Sequence, residues 1–308
     1  YRPAPATHGL LAYLWEFTYS WLRTAALARK IWRRKQFDVI QACNPPDTYW
    51  ALARLYRRRG VRFVYDQHDL NPEVFVSRFG EPTSLVARGQ YAALRWLERR
   101  TYRTAHHVIA TNESYRGVAM SRGSKHPNHV SVVRSGPDTE AMQRTAQRPE
   151  LRGGREFLAV YLGIMGPQDG VDLALRALAH LVHEKGRRDI HLALLGFGDC
   201  YEELVRLASE LEIAGFVTFT GRAGPDVIEA YLSTADIGIQ PDPYSPLNDV
   251  STMNKTMEYM SYELPVVAFD LKETRVSAGD TALYVQPNDV SAFASAMAQL
   301  LDDPDRRA

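Results

Sequence analysis

The chain has 308 residues, of which 45% are hydrophobic and 24% charged. That length suits two domains, and the composition excludes a disordered tail, a collagen-like repeat and a coiled coil. The formal net charge of +1 hides a split, with 24 Lys+Arg against 12 Asp+Glu in residues 1–150 and 13 against 24 in the remainder, so the first half favours an anionic partner or surface.

In chain order, a helical pattern over 10–35 precedes a β-branched run at 37–43. A helix at 47–59, a strand at 62–67, a helix at 84–104 and strands at 106–111 and 129–134 follow. Residues 143–156 are polar, with Pro, Gly and few apolar positions, and read as a linker. Strands then fall at 157–163, 190–196, 216–221, 237–241, 265–270 and 282–287, with helices at 171–185, 201–211, 225–235, 252–263 and 290–301 between them. Strands alternating with helices predict parallel sheets covered on both faces. The expected architecture is therefore α/β, with two doubly wound Rossmann-like domains facing a cleft. The domains are expected at 1–148 and 149–308 with the seam near 145–155, and the first is expected to lack its opening strand. No apolar run reaches the ~18 residues of a membrane-spanning helix. Cys43 and Cys200 are too few for a disulfide framework or a cysteine zinc cluster, and agree with a reducing compartment.

In such folds ligands meet the carboxyl ends of strands. The turn Gly196-Phe197-Gly198 closes a strand before a helix, as a phosphate-binding turn or simply a tight turn would. The third glycine of a dinucleotide fingerprint would fall at Tyr201, so that pattern fails, and no Walker-type lysine loop occurs. His68 ends a strand between Asp66 and Asp69, where it could donate to a ligand or cap a turn; His106 and His107 start a strand and read as structural. No histidine or cysteine pair has metal-ligand spacing, and Asp303-Pro304-Asp305 reads as a solvated turn. In TMNKTMEYMSYE, Asn254 and Glu258 share one helix face. Lys255 could pair with Glu258 or reach an anion at the helix N-terminus. A carboxylate such as Glu258 suits paired ribose hydroxyls, both of its oxygens being acceptors.

The ordered segments YLGIMGPQDGVDLALRAL, IHLALLGFGDCYEELVRLA, VTFTGRAG, YLSTADIGIQPD and MEYMSYELPVVAFD resemble the retaining GT-B glycosyltransferases of family 4. VIQACNPPDTYWALA, FVYDQHD, HHVIATNES and VVRSGPD extend the resemblance over nearly the whole chain. It implies transfer of a hexosyl or N-acetylhexosaminyl group from a nucleoside diphosphate sugar, with retention, to a glycan or lipid-linked acceptor. The STMNK-x-x-EYM wording is similar to a branch that makes bacterial surface polysaccharide. By the same resemblance Glu258 holds the nucleotide ribose, with Gly196, Gly198 and Arg222 on the nucleotide side, and His68 approaches the donor sugar and the reacting phosphate. The family's paired glutamate is replaced by Val250, which shifts donor-sugar contact onto Asp249, Ser251, Thr252 and Asn254. The usual Arg and Lys after the domain's first strand are Ile164 and Asp169 here. Lys255 and Arg222, with the amides near Gly163 and Gly166, are expected to brace the diphosphate instead, Lys255 catalytically. No metal or other cofactor and no nucleic acid is implied. A sugar-nucleotide 2-epimerase and a non-catalytic nucleotide-sugar binder are the alternatives.

The helical stripe Leu11, Leu14, Trp15, Thr18, Trp21, Leu22, Ala25, Ala28 and Trp32 leads into Arg29, Lys30, Arg33, Arg34 and Lys35. Aromatic residues beside a basic cluster suit an anionic membrane surface, whereas the same stripe at helical spacing also suits packing on a sheet. The chain is expected in the cytoplasm, peripheral on the inner face of the cell membrane.

Overall fold

A computed structural model describes residues 10–307, which divide by packing into one unit ending at Arg134 and a second beginning at Ser135. The segment before residue 10, where the sequence shows no strand, lies outside the described residues.

In the first unit four parallel strands lie in chain order, β1 (Val39–Cys43), β2 (Arg62–Gln67), β3 (His107–Ala110) and β4 (Val130–Val132). Cys43 pairs in register with Asp66, so the carboxyl ends of β1 and β2 finish level. Five helices accompany them: α1 (Leu10–Arg34), α2 (Trp50–Arg57), α3 (Asn71–Phe79), α4 (Leu85–Thr104) and α5 (Glu113–Ser121). Helix α4 starts where the Ser84 hydroxyl accepts from the Ala87 amide at 3.1 Å, and α5 where Asn112 accepts from Tyr115 at 2.7 Å. Sequence periodicity missed α3 and α5, each of nine residues directly after a polar strand end. Helix α1 splits its predicted stripe. Trp21, Ala25, Ala28 and Trp32 pack on Leu52, Tyr56 and Val61, whereas Trp15 and Leu22 are each 57% exposed. Leu11 and Leu14 fall outside the described side chains. Among the described residues no helix is long and apolar enough to cross a membrane.

The second unit holds six parallel strands, β5 (Phe157–Leu162), β6 (Ile190–Leu195), β7 (Val217–Gly221), β8 (Ile237–Gln240), β9 (Val266–Phe269) and β10 (Ala282–Val285). Their order is β10-β9-β8-β5-β6-β7. The chain winds outward from β5 in one direction and from β8 in the other, so the strand order reverses between these two. Helices α6 (Val171–Ala179), α7 (Tyr201–Glu210), α8 (Pro225–Thr234), α9 (Asn254–Ser261), α10 (Lys272–Ala278), α11 (Val290–Asp302) and α12 (Pro304–Arg307) complete the unit. Separate apolar clusters fill the two sides of the sheet, one around Leu175, Leu192 and Phe293 and the other around Leu158, Val160 and Leu232. Each such fully buried side chain contributes about 1.5–3 kcal/mol.

The division after Arg134 falls earlier than the seam expected at 145–155. The polar segment is docked onto the second unit through its backbone and two apolar residues. Thr145 N donates to Ser233 Oγ at 3.0 Å and Arg148 N to Thr234 Oγ1 at 2.9 Å. Arg152 forks onto Asp236, and Met142 and Leu151 pack on the core. Low apolar content marked this segment as a linker, but side-chain acceptors satisfy its amides.

Candidate active site

Where strands β5 and β8 part, only Ala159↔Ile237 and Val160↔Gly238 are paired. Beyond them Tyr259, on α9, fills the gap. Its hydroxyl accepts from Leu162 N at 2.8 Å and donates to Ile239 O at 3.1 Å. The Tyr259 ring rests on Gly238, where a Cβ would come within 2.6 Å of it. One turn earlier on α9, Lys255 is 8% exposed and its Nζ donates to both oxygens of Asp242, at 2.9 and 3.0 Å. The ammonium also lies 4.8 Å from the Tyr161 ring centre. Burial alone would lower the lysine's proton affinity, but the contact with Asp242 raises it above the ordinary value, so the ammonium stays charged. Lys255 therefore reaches Asp242 and not Glu258, and its charge is matched by a buried carboxylate. This corrects the expectation that Lys255 is a free positive charge for the diphosphate.

Glu258 is half-buried one turn after exposed Asn254. Burial raises its carboxyl above the ordinary value, partly offset by the nearby Lys255 charge. The Arg222 guanidinium is exposed and stacks 4.1 Å above the Phe197 ring centre. That places an accessible cation and an aromatic face together at the ends of β6 and β7.

Gly196 and Gly198 are required by the backbone. A Cβ on Gly196 would lie 1.7 Å from Gly163 O, and one on Gly198 would lie 2.5 Å from Met165 O. The loops after β5 and β6 thus press directly together, with Met165 N donating to Phe197 O at 3.0 Å. Of the amides around Gly163 and Gly166, the glycines' own are committed within the fold: Gly163 N donates to Leu195 O at 3.0 Å and Gly166 N to Asp169 Oδ2 at 2.8 Å. Asp169, standing where the family's lysine was expected, closes its own turn.

The loop after β8 is stitched to the loop after β5 by Asn248, whose side-chain amide donates to Gln168 O and Pro243 O, both at 2.8 Å. Asp249, expected at the donor sugar, accepts from Lys272 N at 3.0 Å and so anchors the start of α10. Ser251 donates its hydroxyl to Leu247 O at 2.8 Å, a bond within the same loop. Thr252 is half-buried immediately before α9. Sequence reading named neither Tyr259 nor Asn248 as a positioning residue. It gave Asp242 no role, because its partner Lys255 comes from a different element.

In the first unit, buried Asn44 locks the turn after β2. Its Oδ1 accepts from His68 N at 2.8 Å and Asp69 N at 3.1 Å, while its Nδ2 donates to Asp69 O at 2.7 Å. The His68 Nε2 lies 3.2 Å from Asp66 Oδ1, and the side chain is 48% exposed. Gln41 Nε2 donates to Asp66 Oδ2 at 2.8 Å. The His68 backbone is thus fixed by Asn44, and its half-exposed ring is oriented by a carboxylate. Beneath it, Asp47 accepts from Tyr65 Oη at 2.8 Å and Asn71 Nδ2 at 2.5 Å.

Residues 156–303 match the family model "Glycosyl transferases group 1", and residues 6–141 match "Glycosyltransferase Family 4". Two glycosyltransferase family models thus match successive parts of the chain, and its two parallel-sheet units have a GT-B fold. It is 26% identical over 235 residues to alpha-D-kanosaminyltransferase of Streptomyces kanamyceticus, covering 73% of this chain and 59% of that protein. It is 33% identical over 187 residues to a GDP-mannose-dependent alpha-(1-6)-phosphatidylinositol monomannoside mannosyltransferase of Mycolicibacterium smegmatis, covering 59% of this chain and 48% of that one. The chain thus spans about half to three-fifths of these relatives. Among solved structures, sucrose-phosphate synthase of Thermosynechococcus elongatus superposes with a TM-score of 0.75 at 19% identity, over 99% of this chain and 74% of that one. Anabaena HepE, solved with UDP-glucose, superposes with a TM-score of 0.68 at 18% identity, over 97% of this chain and 76% of that one. These likenesses establish the fold.

Proposed function

We propose that the chain is a retaining glycosyltransferase that takes a hexosyl or N-acetylhexosaminyl group from a nucleoside diphosphate sugar. The observation that carries this reading is the parting of β5 and β8, with Glu258 on the helix that fills it, in a unit matching a glycosyltransferase family. The donor binds on the second unit. Its ribose hydroxyls donate to the Glu258 carboxylate. The base or phosphates meet the exposed Arg222–Phe197 pair. As the glycosidic bond breaks, negative charge gathers on the leaving diphosphate. Preorganised donors lower the barrier there. Arg222 and the positive end of the α9 peptide dipoles fill that role in this chain. Lys255, held by Asp242, fixes the loop and the helix start relative to each other. The family resemblance gives His68, oriented by Asp66, the role of meeting the donor sugar. This chemistry requires no metal or other cofactor.

The acceptor is a glycan or lipid-linked sugar of bacterial cell-surface polysaccharide, met at the inner face of the membrane from the cytoplasm. Supporting this, α1 exposes Trp15, Phe17, Leu22, Leu27 and Ile31 beside exposed Arg29, Lys30, Arg33, Arg34 and Lys35. Apolar and cationic side chains in that combination suit an anionic leaflet.

The test is incubation with a panel of nucleoside diphosphate sugars, with and without membrane-extracted acceptors. Release of nucleoside diphosphate together with an α-configured product from an α-configured donor is the expected result. Epimerised donor without acceptor would replace this reading by an epimerase. Tight nucleotide binding without turnover across the panel would replace it by a non-catalytic binder.

A further inference from the structure

The level carboxyl ends of β1 and β2 bring Cys43, Asp66 and His68 together, with one ligand atom from each all within 4.8 Å of one another. The Asp66 carboxylate stands between the other two. One oxygen lies 3.2 Å from His68 Nε2 and the other accepts from Cys43 Sγ at 3.8 Å. Zinc binds thiolate at about 2.3 Å and imidazole or carboxylate at about 2.0–2.2 Å, so tetrahedral angles set neighbouring ligand atoms roughly 3.3–3.7 Å apart. The separations of 3.2 and 3.8 Å, one to each carboxylate oxygen, lie on either side of that range, and the thiol lies within 4.8 Å of a ring nitrogen of His68. The cluster's support is also that of a metal site: Gln41 donates to Asp66, and Asn44 holds the His68 backbone.

We propose that Cys43, Asp66 and His68 form a binding site for a borderline-soft divalent cation, of which zinc is the best match. Thiolate and imidazole favour zinc or cobalt over magnesium and calcium, which require shells of oxygen ligands that this site does not offer. Cys43 binds as the thiolate and releases its proton to solvent, so affinity rises with pH. Cys43 and His68 are both exposed, which gives the cation a route in from solvent. Three protein ligands leave the fourth position of a tetrahedral ion open to water or to a ligand group. The site itself does not depend on the glycosyltransferase reading. Its consequence for turnover does: a metal held by Asp66 and His68 Nε2 fixes the ring that is proposed to meet the donor, so zinc inhibits transfer.

The experiment is titration of the full chain with Co(II) alone, followed by electronic absorption. A thiolate-to-cobalt charge-transfer band should saturate at one cobalt per chain and be displaced by Zn(II). It should vanish in Cys43→Ser, fall in intensity or affinity by roughly tenfold or more in His68→Gln, and persist in Cys200→Ser. Circular dichroism checks that each variant is folded. Absence of the band, or its persistence in folded Cys43→Ser, would overturn the proposal. Because the spectrum needs no transfer assay, a chain found to be inactive would leave this test intact.

Discussion

The ammonium of Lys255 and the carboxylate of Asp242 meet through two hydrogen bonds of 2.9 and 3.0 Å, 13 residues apart in sequence and both buried. Breaking one side of such a pair strands a charge in a poor solvent, at a cost of about 3–5 kcal/mol. Asp242→Asn and Lys255→Met should each lower the urea midpoint of the second unit accordingly. The double variant should recover most of the loss. If Lys255→Met behaved like a surface substitution, shifting stability by less than about 0.5 kcal/mol, the pair would have no structural duty.

Glu258→Ala should leave the fold intact and weaken nucleoside diphosphate binding. Hydrogen bonds to a charged acceptor contribute about 1.5–3 kcal/mol, so calorimetry should show roughly a tenfold to hundredfold loss. Equal affinity in variant and parent would remove Glu258 from the ribose site.

His68→Ala removes a half-exposed ring and so should change stability by no more than about 0.5 kcal/mol. If the ring stabilises charge in the transition state, turnover should fall roughly 100-fold or more, with a smaller effect on KM. Undiminished turnover would reassign His68 to the turn that Asn44 holds.

The two units should respond to pH in opposite senses. Burial, opposed by Arg122, pushes Glu98 from 4.5 up to about 7. The folded first unit then holds a proton that the unfolded chain releases, so the stability this group contributes is present below pH 4.5 and lost as pH rises through about 7. In the second unit, burial and Arg155 push His191 from 6.5 down to about 4. Its contribution is present above pH 6.5 and lost as pH falls through about 4. Each span is equivalent to about 3 kcal/mol. Denaturant midpoints measured against pH should flatten over the first window in Glu98→Gln and over the second in His191→Asn. Unchanged slopes would show that other groups govern both windows.

Replacing Arg33, Arg34 and Lys35 by Glu should abolish sedimentation with anionic vesicles while leaving circular dichroism unchanged. The parent should bind anionic but not neutral vesicles, and release as salt shortens the screening length. Failure of the parent to bind at low salt would leave the exposed face of α1 without a membrane role.

The ten strands among the described residues were legible as short apolar runs between helical stretches, of which IHLALL of β6, buried at every position, is the plainest. The short helices α3, α5 and α10 went unread, each beginning within a few residues of a polar strand end. At the site, helical spacing correctly put Asn254 and Glu258 on one face, and by the same logic offered Glu258 as the partner of Lys255. The actual partner follows a strand whose neighbour in space cannot be read from local spacing. Asp249 looked like a ligand residue for a related reason: the amide it accepts from is on Lys272, 23 residues on. The stripe on α1 divides between the two uses that its spacing offered. Its nine positions cover a wider arc than one packing contact, so Trp32 is shielded while Trp15 faces solvent.

Tyr259 joins the two halves of the second sheet where their own hydrogen bonds stop. The width of that opening is therefore not a property of the strands. It is gauged by one phenol ring, borne on the helix that also carries Glu258 and Lys255. A shift of α9 must carry the Glu258 carboxylate, the buried cation and the spacer between β5 and β8 together. Anything that tightened the helix onto a bound molecule would thus be felt as strain in the sheet. Conversely, Tyr259→Phe would leave Leu162 N and Ile239 O without their shared partner while keeping the ring packed on Gly238, loosening helix from sheet without altering Glu258 or Lys255.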